Sequence, residues 1–291
     1  MFAVPPVCPN VVTVTTRAPI HLGSGEPVVL LHPFMLSQAV WADVAVQLAD
    51  TGRYEVFAPT LAGHNGGPRG DSWLLSAPIL ADHVERQMDE LGWRTAHLVG
   101  NSLGGWLAYE LAGRGRARTV TGIAPAGGWT RWTPCKFEVI AKFLAGLPLW
   151  LAVLAVGDRI LRLPWSRQIA ALPLAGSADR LTEAHLHSAV DDLSHCPAYY
   201  RLLLKTLLEP GLTDLTALTV PAHLVNCTKD RVVPAPRFTR LFTTGVAGLQ
   251  VSTLEGMGHI PMLEAPGTVT ETITGFLDRH VPPIQAETPA G

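Results

Sequence analysis

The sequence predicts an α/β fold: a mostly parallel sheet flanked by helices, with a helical cap inserted between two strands. Three observations carry this. Short continuous apolar runs, such as Pro27–His32 and Ala222–Asn226, have the composition of strands buried on both faces. Segments of helical periodicity alternate with them, and that rhythm implies parallel strands joined by crossover helices. The alternation lapses between about residues 127 and 215 into apolar segments rich in Leu, Ala and Trp, then resumes.

The elements follow in order. Residues 11–19 alternate and are β-branched, as an edge strand would be. After the run Pro27–His32, a helix is expected over Gln38–Ala49, with Ser37 as its N-cap and Val40, Trp41, Val44 and Leu48 as its buried stripe. Tyr54–Ala58 reads as a strand, and the glycine-rich stretch 59–67 as a loop. A helix over Ala77–Leu91 leads to a strand opening at Thr95, and Val120–Ala124 is the next strand. Beyond the cap come the strand Ala222–Asn226, a helix over Pro236–Thr244, a strand Gln250–Leu254 and a last helix over Pro266–Arg279. The core is therefore expected to span 1–127 and 216–282, the cap 128–215, and a disordered tail 283–291.

Composition bounds the function. The chain has 291 residues, is 47% hydrophobic and only 16% charged, and carries a net charge of −2 with no basic run. That excludes nucleic acid as an expected partner. Cys8, Cys135, Cys196 and Cys227 are scattered without a C-x-x-C pair, and the N-terminus lacks a basic region before an apolar run. Both point to a reducing compartment, the cytoplasm. The segment Phe143–Gly157 has no charge but is shorter than the ~20 apolar residues a span requires, and Pro148 interrupts it, so no integral membrane segment is expected. Its sharper reading is a cap face that touches lipid or a second subunit. Monomer and homodimer both remain open.

The chemistry centres on Gly100-Asn101-Ser102-Leu103-Gly104-Gly105, placed where a strand turns sharply into a helix. Gly-x-Ser-x-Gly at such a corner presents the serine hydroxyl at the carboxyl edge of the sheet, and its neighbours two places away must be small. A serine hydroxyl needs a base to take its proton, and the base needs an acid to hold its tautomer. Asp230 follows the returning strand and His259 the next one, so both lie on loops at the same sheet edge, in the order Ser, Asp, His. The N–H of Leu103 opens the helix beside the serine, where developing negative charge is favoured.

On these residues the chain resembles the α/β-hydrolase superfamily, in its esterase, haloperoxidase and lactonase-like group. Gly100–Gly105 resembles the elbow, Asp230-Arg231-Val232-Val233-Pro234 the acid loop, and Gly258-His259-x-Pro261-x-x-Glu264-x-Pro266 the histidine loop. The likeness covers about residues 27–127 and 218–280. It implies Ser102 as nucleophile, His259 as base, Asp230 as its orienting acid, and an oxyanion hole from the N–H groups of Leu103 and Phe34. Two positions depart from the family pattern. Pro33 follows His32 where glycine is common, which makes Met35 an alternative donor, and Cys227 stands three places before Asp230 where glycine is usual.

Each candidate has a plainer reading. Asp230 could be a solvated loop charge beside Arg231, with Asp214 as the fallback acid, although Asp214 precedes its strand and so lies at the wrong edge. His32 is expected to hydrogen-bond backbone and shape the oxyanion loop, and His64 to border the pocket. His185 and His187 fall on different helix faces and with His195 make no ligand set, so no metal is expected. Met35, Trp129, Trp150 and Ile260 are the expected substrate contacts, whereas Trp132 and Trp165 read as cap packing. The expected activity is cofactor-free cleavage of a hydrophobic small-molecule ester through an acyl-enzyme. Lactone, thioester or C–C bond hydrolysis on the same residues, or a ligand-binding receptor without turnover, are the alternatives. The resemblance sets haloalkane dehalogenases and epoxide hydrolases aside, because they carry Asp where this chain has Ser102.

Overall fold

Strand β2 (Glu26–Leu31) is an almost wholly buried run, and a strand with no polar face needs cover on both sides. The computed structural model, which describes residues 17–70, 75–163, 165–212 and 214–281, supplies it. The other strands are β1 (Ile20–Gly23), β3 (Tyr54–Ala58), β4 (Ala96–Asn101), β5 (Ala117–Ile123), β6 (Ala222–Cys227) and β7 (Gln250–Leu254). They form one sheet in the order β1-β3-β2-β4-β5-β6-β7, parallel except for the edge strand β1, which runs antiparallel to β3. Because six strands run the same way, the loops leaving β2, β4, β6 and β7 gather at one edge of the sheet.

The flanking helices of the core are α1 (Ala42–Ala49), α2 (Ala77–Glu90) and α3 (Leu103–Gly113). The cap contributes α4 (Pro134–Ala145), α5 (Leu147–Val156), α6 (Ser166–Ala171), α7 (Glu183–Ser194) and α8 (Ala198–Leu208), and the chain ends through α9 (Arg240–Gly245), α10 (Pro261–Glu264) and α11 (Pro266–Leu277). Among the described residues no strand lies between β5 and β6. Ser37 caps the turn before α1, its hydroxyl accepting the N–H of Ala39, and Val40, Trp41, Val44 and Leu48 are all buried. Ser76 caps α2 in the same way, through Ile79 N–H.

Differences from the expected elements have local causes. The edge strand expected at 11–19 is found later, at Ile20–Gly23; residues 17–19 are not strand, and 11–16 lie outside the described residues, as does the expected tail. The segment from Gln38 to Trp41 winds as a tighter 3₁₀ turn before α1 begins. In the expected helix Pro236–Thr244 the first residues close i→i−3 turns, with Thr239 N–H on Pro236 C=O, so regular helix starts only at Arg240. Gly146 keeps helical angles (φ −75°, ψ −9°) and Pro148 falls in the first turn of α5, where its missing N–H costs nothing, so α4 and α5 run on almost continuously. The charge-free run therefore belongs to a longer helical stretch, Pro134–Arg162, which by length and composition alone is long enough to cross a membrane.

Candidate active site

Ser102 sits where β4 meets α3 with φ +53° and ψ −114°, a region that side-chain-bearing residues rarely occupy. Such a conformation costs about 1–3 kcal/mol and persists only when its surroundings hold it. Here Ser102 N–H donates to Ile123 C=O (3.1 Å), while its own carbonyl accepts from Ala126 (2.9 Å) and Trp106 (3.0 Å). The neighbouring glycines are there for space. A Cβ on Gly100 would lie 2.0 Å from the Gly104 carbonyl oxygen, and one on Gly104 2.0 Å from that of Leu31. Although it occupies the N-cap position of α3, Ser102 makes no side-chain cap. Its hydroxyl faces a cavity instead.

The imidazole of His259 lines that same cavity. Its Nδ1 lies 2.8 Å from Asp230 Oδ2, and the pair is buried. The other carboxylate oxygen of Asp230 accepts the N–H groups of Val232 (2.7 Å) and Val233 (3.0 Å). Burial alone would raise the Asp230 pKa. The facing imidazole, its hydrogen bond and the two backbone N–H groups outweigh burial and hold it below the usual carboxylate value. A carboxylate accepts only, so Nδ1 of His259 carries the proton and donates, which leaves Nε2 as the basic atom. Among the described residues the Ser102 hydroxyl has no hydrogen-bond partner, and contacts of this kind tighten when substrate binds. Cys227, placed where the family favours glycine, ends β6 with ordinary backbone angles and a buried thiol, and the acid loop turns directly after it.

Bonds that the sequence did not reveal fix the histidine loop. Asn101 Nδ2 donates to the carbonyl of His259 (2.9 Å) and to that of Ile123 (2.9 Å), so the residue before the serine also holds the histidine's backbone. Ile260 N–H donates to Leu174 C=O (2.7 Å). Glu264 accepts from Gly258 N–H (2.6 Å) with one oxygen and from the cap residue Gly176 (3.0 Å) with the other. Glu264 stands six residues after Gly258 and Asn101 lies far before His259, separations that carry no periodic signal from which these bonds could be read.

The loop after β2 carries Phe34 and Met35, whose N–H groups are the expected oxyanion donor and its alternative. Leu61 N–H donates to His32 Nε2 (2.9 Å), so the proton of this buried ring is on Nδ1, which donates to the Pro33 carbonyl (2.8 Å). Burial, and then the neighbouring His64, push the His32 pKa well below its ordinary value and keep the ring neutral. Within a planar trans peptide the N–H points opposite to the C=O. Holding the Pro33 oxygen therefore aims the Phe34 N–H away from His32. Met35 follows with φ +68°, so proline at 33 is accommodated by left-handed backbone two residues on.

The cavity has two parts that meet at Ser102. The larger, about 190 Å³, is lined by Met35, Trp150, Ile260 and His259 together with residues of α4 and α5. The smaller, about 50 Å³, lies against Trp106, Trp129 and Val139. All four expected substrate contacts are thus at the site. Trp150 stacks on Tyr199 with ring centroids 4.5 Å apart and donates from Nε1 to Leu193 C=O (3.1 Å). His64 is buried behind Phe34, edge-on to it. Trp132 and Trp165 are exposed instead of packed, and Asp214 is bound to Thr216 away from the site. His185 closes the capping box of α7, and His187 and His195 lie near Asp158 and Asp191.

With this geometry in place, residues 28–272 match the model of the alpha/beta hydrolase family. The chain belongs to that family. The epoxide hydrolase EphH of Mycobacterium tuberculosis is 56% identical over 213 residues, covering 73% of this chain and all of the relative. A pimeloyl-[acyl-carrier protein] methyl ester esterase of Aeromonas salmonicida is 34% identical over 272 residues, 88% of this chain and 97% of the relative. Among solved structures, a thermophilic esterase from Thermogutta terrifontis superposes with a TM-score of 0.71 at 21% identity, over 92% of this hydrolase and 97% of that chain.

Proposed function

We propose that this hydrolase cleaves carboxylic esters of hydrophobic small molecules through an acyl-enzyme on Ser102. The observation that carries the reading is the uncapped Ser102 hydroxyl, held on strained backbone in the same apolar cavity as an imidazole whose Nδ1 is bound to a buried carboxylate. His259 Nε2 takes the hydroxyl proton as the oxygen attacks the acyl carbon, and Asp230 stabilises the imidazolium. The N–H groups of Leu103 and Phe34 receive the oxyanion, one such donor being worth about 3 kcal/mol in the transition state. The imidazolium then protonates the departing alcohol. His259 next takes a proton from water as the water oxygen attacks the acyl carbon, and the imidazolium returns that proton to the Ser102 oxygen as the acyl bond breaks and the acid leaves. None of these steps calls on a cofactor, and the nearly uncharged cavity walls favour apolar acyl and alcohol groups in the two parts that meet at Ser102.

The EphH relative supports a second reading, epoxide hydrolysis. Ring opening by a serine oxygen would leave an ether, which has no carbonyl for water to attack, so a two-step route through Ser102 stalls. Epoxide turnover would instead need water activated directly by His259. The two readings separate on one variant. Ser102→Ala is expected to abolish hydrolysis of short p-nitrophenyl esters and labelling by a fluorophosphonate while retaining the fold. Epoxide opening that survives in Ser102→Ala, with no ester turnover by the wild type, would replace the first reading by the second.

A further inference from the structure

The outer face of the cap has a pattern that neither the cavity nor the core explains. Along the nearly continuous α4 and α5, Phe137, Ala141, Leu144, Pro148, Leu151 and Ala155 form one exposed row, spaced alternately four and three residues apart, with Leu154 and Val156 exposed beside it and the Glu138–Lys142 pair half-buried on its flank. A solvated helix face is ordinarily polar. The row itself has no charged or polar residue, and Leu144 and Leu151 are about half exposed (53% and 49%). The two helices together run roughly 35 Å. At each end of the stripe stand an exposed tryptophan and exposed arginines: Arg131 and Trp132 (77% exposed) before it, Arg159, Arg162 and Trp165 (54%) after it. Among the described residues Arg131, Arg159 and Arg162 make no ion pair. Of the basic groups in residues 131–172, Lys136 is buried on backbone carbonyls and Lys142 and Arg167 pair with Glu138 and Glu183, which leaves Arg131, Arg159 and Arg162 as the cations available to an outside surface.

We propose that this face of the cap seats on an anionic phospholipid surface, with α4 and α5 lying in the plane of the headgroups. Apolar side chains of the stripe enter the acyl boundary, the tryptophans sit at headgroup depth, and the arginines meet the lipid phosphates. Charge decides between this occupant and a second copy of the chain, because a two-fold pairing of these faces would oppose two sets of unpaired arginines. Spanning is disfavoured by the inner side of the same helices. Cys135, Val139, Ile140, Trp150 and Val153 are buried there, and Lys142 Nζ donates to Val232 C=O (2.9 Å) in the core, so crossing a bilayer would strip the roof from the cavity. Seated in this way, the cap holds Phe143, Gly146 and Leu149 between lipid and Ser102, a short apolar route for a substrate already dissolved in the membrane. The seating itself does not depend on which bond is cleaved.

The test is co-sedimentation of the full chain with vesicles of phosphatidylcholine alone or with about 30 mol% phosphatidylglycerol, in about 0.1 M and about 0.5 M NaCl. At least tenfold stronger binding to the anionic vesicles is expected, weakened by the higher salt. Arg159→Glu with Arg162→Glu should reduce it at least tenfold. Leu144→Ser with Leu151→Ser should reduce binding even at low salt, with an unchanged circular dichroism spectrum. Equal pelleting with neutral and anionic vesicles would overturn the proposal. So would a dimer in ultracentrifugation that the leucine variant turns into monomer, or wild-type chain that resists release by alkaline carbonate.

Discussion

At Ser102 the backbone carries strain so that a hydroxyl can stand free, and residues on either side bear the consequences. Gly104→Ala should not give soluble folded protein, because its Cβ would meet the Leu31 carbonyl oxygen at 2.0 Å and both groups are backbone-fixed. The effect shows as loss of cooperative unfolding. Asn101→Ala removes the bond that fixes the His259 carbonyl, while the Ile123 carbonyl keeps the Ser102 N–H as a donor. A stability loss of about 1–3 kcal/mol is expected in urea, with kcat lowered more than KM because the base is displaced while the pocket walls stay. His32→Ala frees the Pro33–Phe34 peptide, and the same split between kcat and KM would mark it as a positioning residue. An equal effect on both parameters would place its role in packing alone.

Among elements, the cap is tied to the core by polar contacts near the oxyanion loop. Asp192 of α7, itself buried, accepts from Ser37 Oγ (2.7 Å), Asn65 Nδ2 (2.9 Å) and Arg17 (3.2 Å). Burial raises its pKa, and the three donors work against that rise. Ser37→Ala removes one donor from a buried carboxylate and, at the same residue, the cap of the turn before α1. A loss of about 1–3 kcal/mol is expected in chemical denaturation. The helices also set the cavity's shape. Trp150→Ala removes the ring stacked on Tyr199, and the preferred acyl chain should lengthen; an unchanged chain-length profile would remove Trp150 from the specificity wall.

At the scale of the whole molecule, buried neutral histidines dominate the response to acid. His64, His97 and His223 are each lowered from 6.5 to about 4, chiefly by burial, and His32 lies well below its ordinary value for the same reason. Their folded-state pKa values are depressed, so the unfolded chain binds more protons once the pH drops below 6.5. The stability they contribute is complete above that pH and is lost as pH falls toward 4, at roughly 1.4 kcal/mol per pH unit per histidine. Asp192 acts in the opposite sense. Calorimetry should show Tm falling steeply from pH 6.5 to 5, with uptake of about three to four protons on unfolding at pH 5. A flat Tm over that range would mean these rings are solvated.

The chain positions of the strands from β2 onward, the position of Ser102 at a strand-to-helix corner and the placement of Asp230 and His259 on later strand-end loops were legible in the chain, because they depend on local periodicity and on glycines that no other residue can replace; the order of the strands in the sheet was not. The charge-free run of the cap was legible too. What tertiary structure alone decided is which long-range bonds hold those loops in place: Asn101 on the His259 carbonyl, Glu264 across to Gly176, and His32 between Leu61 and Pro33. It also decided that α4 and α5 continue through Gly146 and turn one apolar side toward the cavity and the other toward solvent. Periodicity reports which residues share a face. Which neighbour that face meets depends on contacts between residues far apart in sequence, and only the folded chain brings those together.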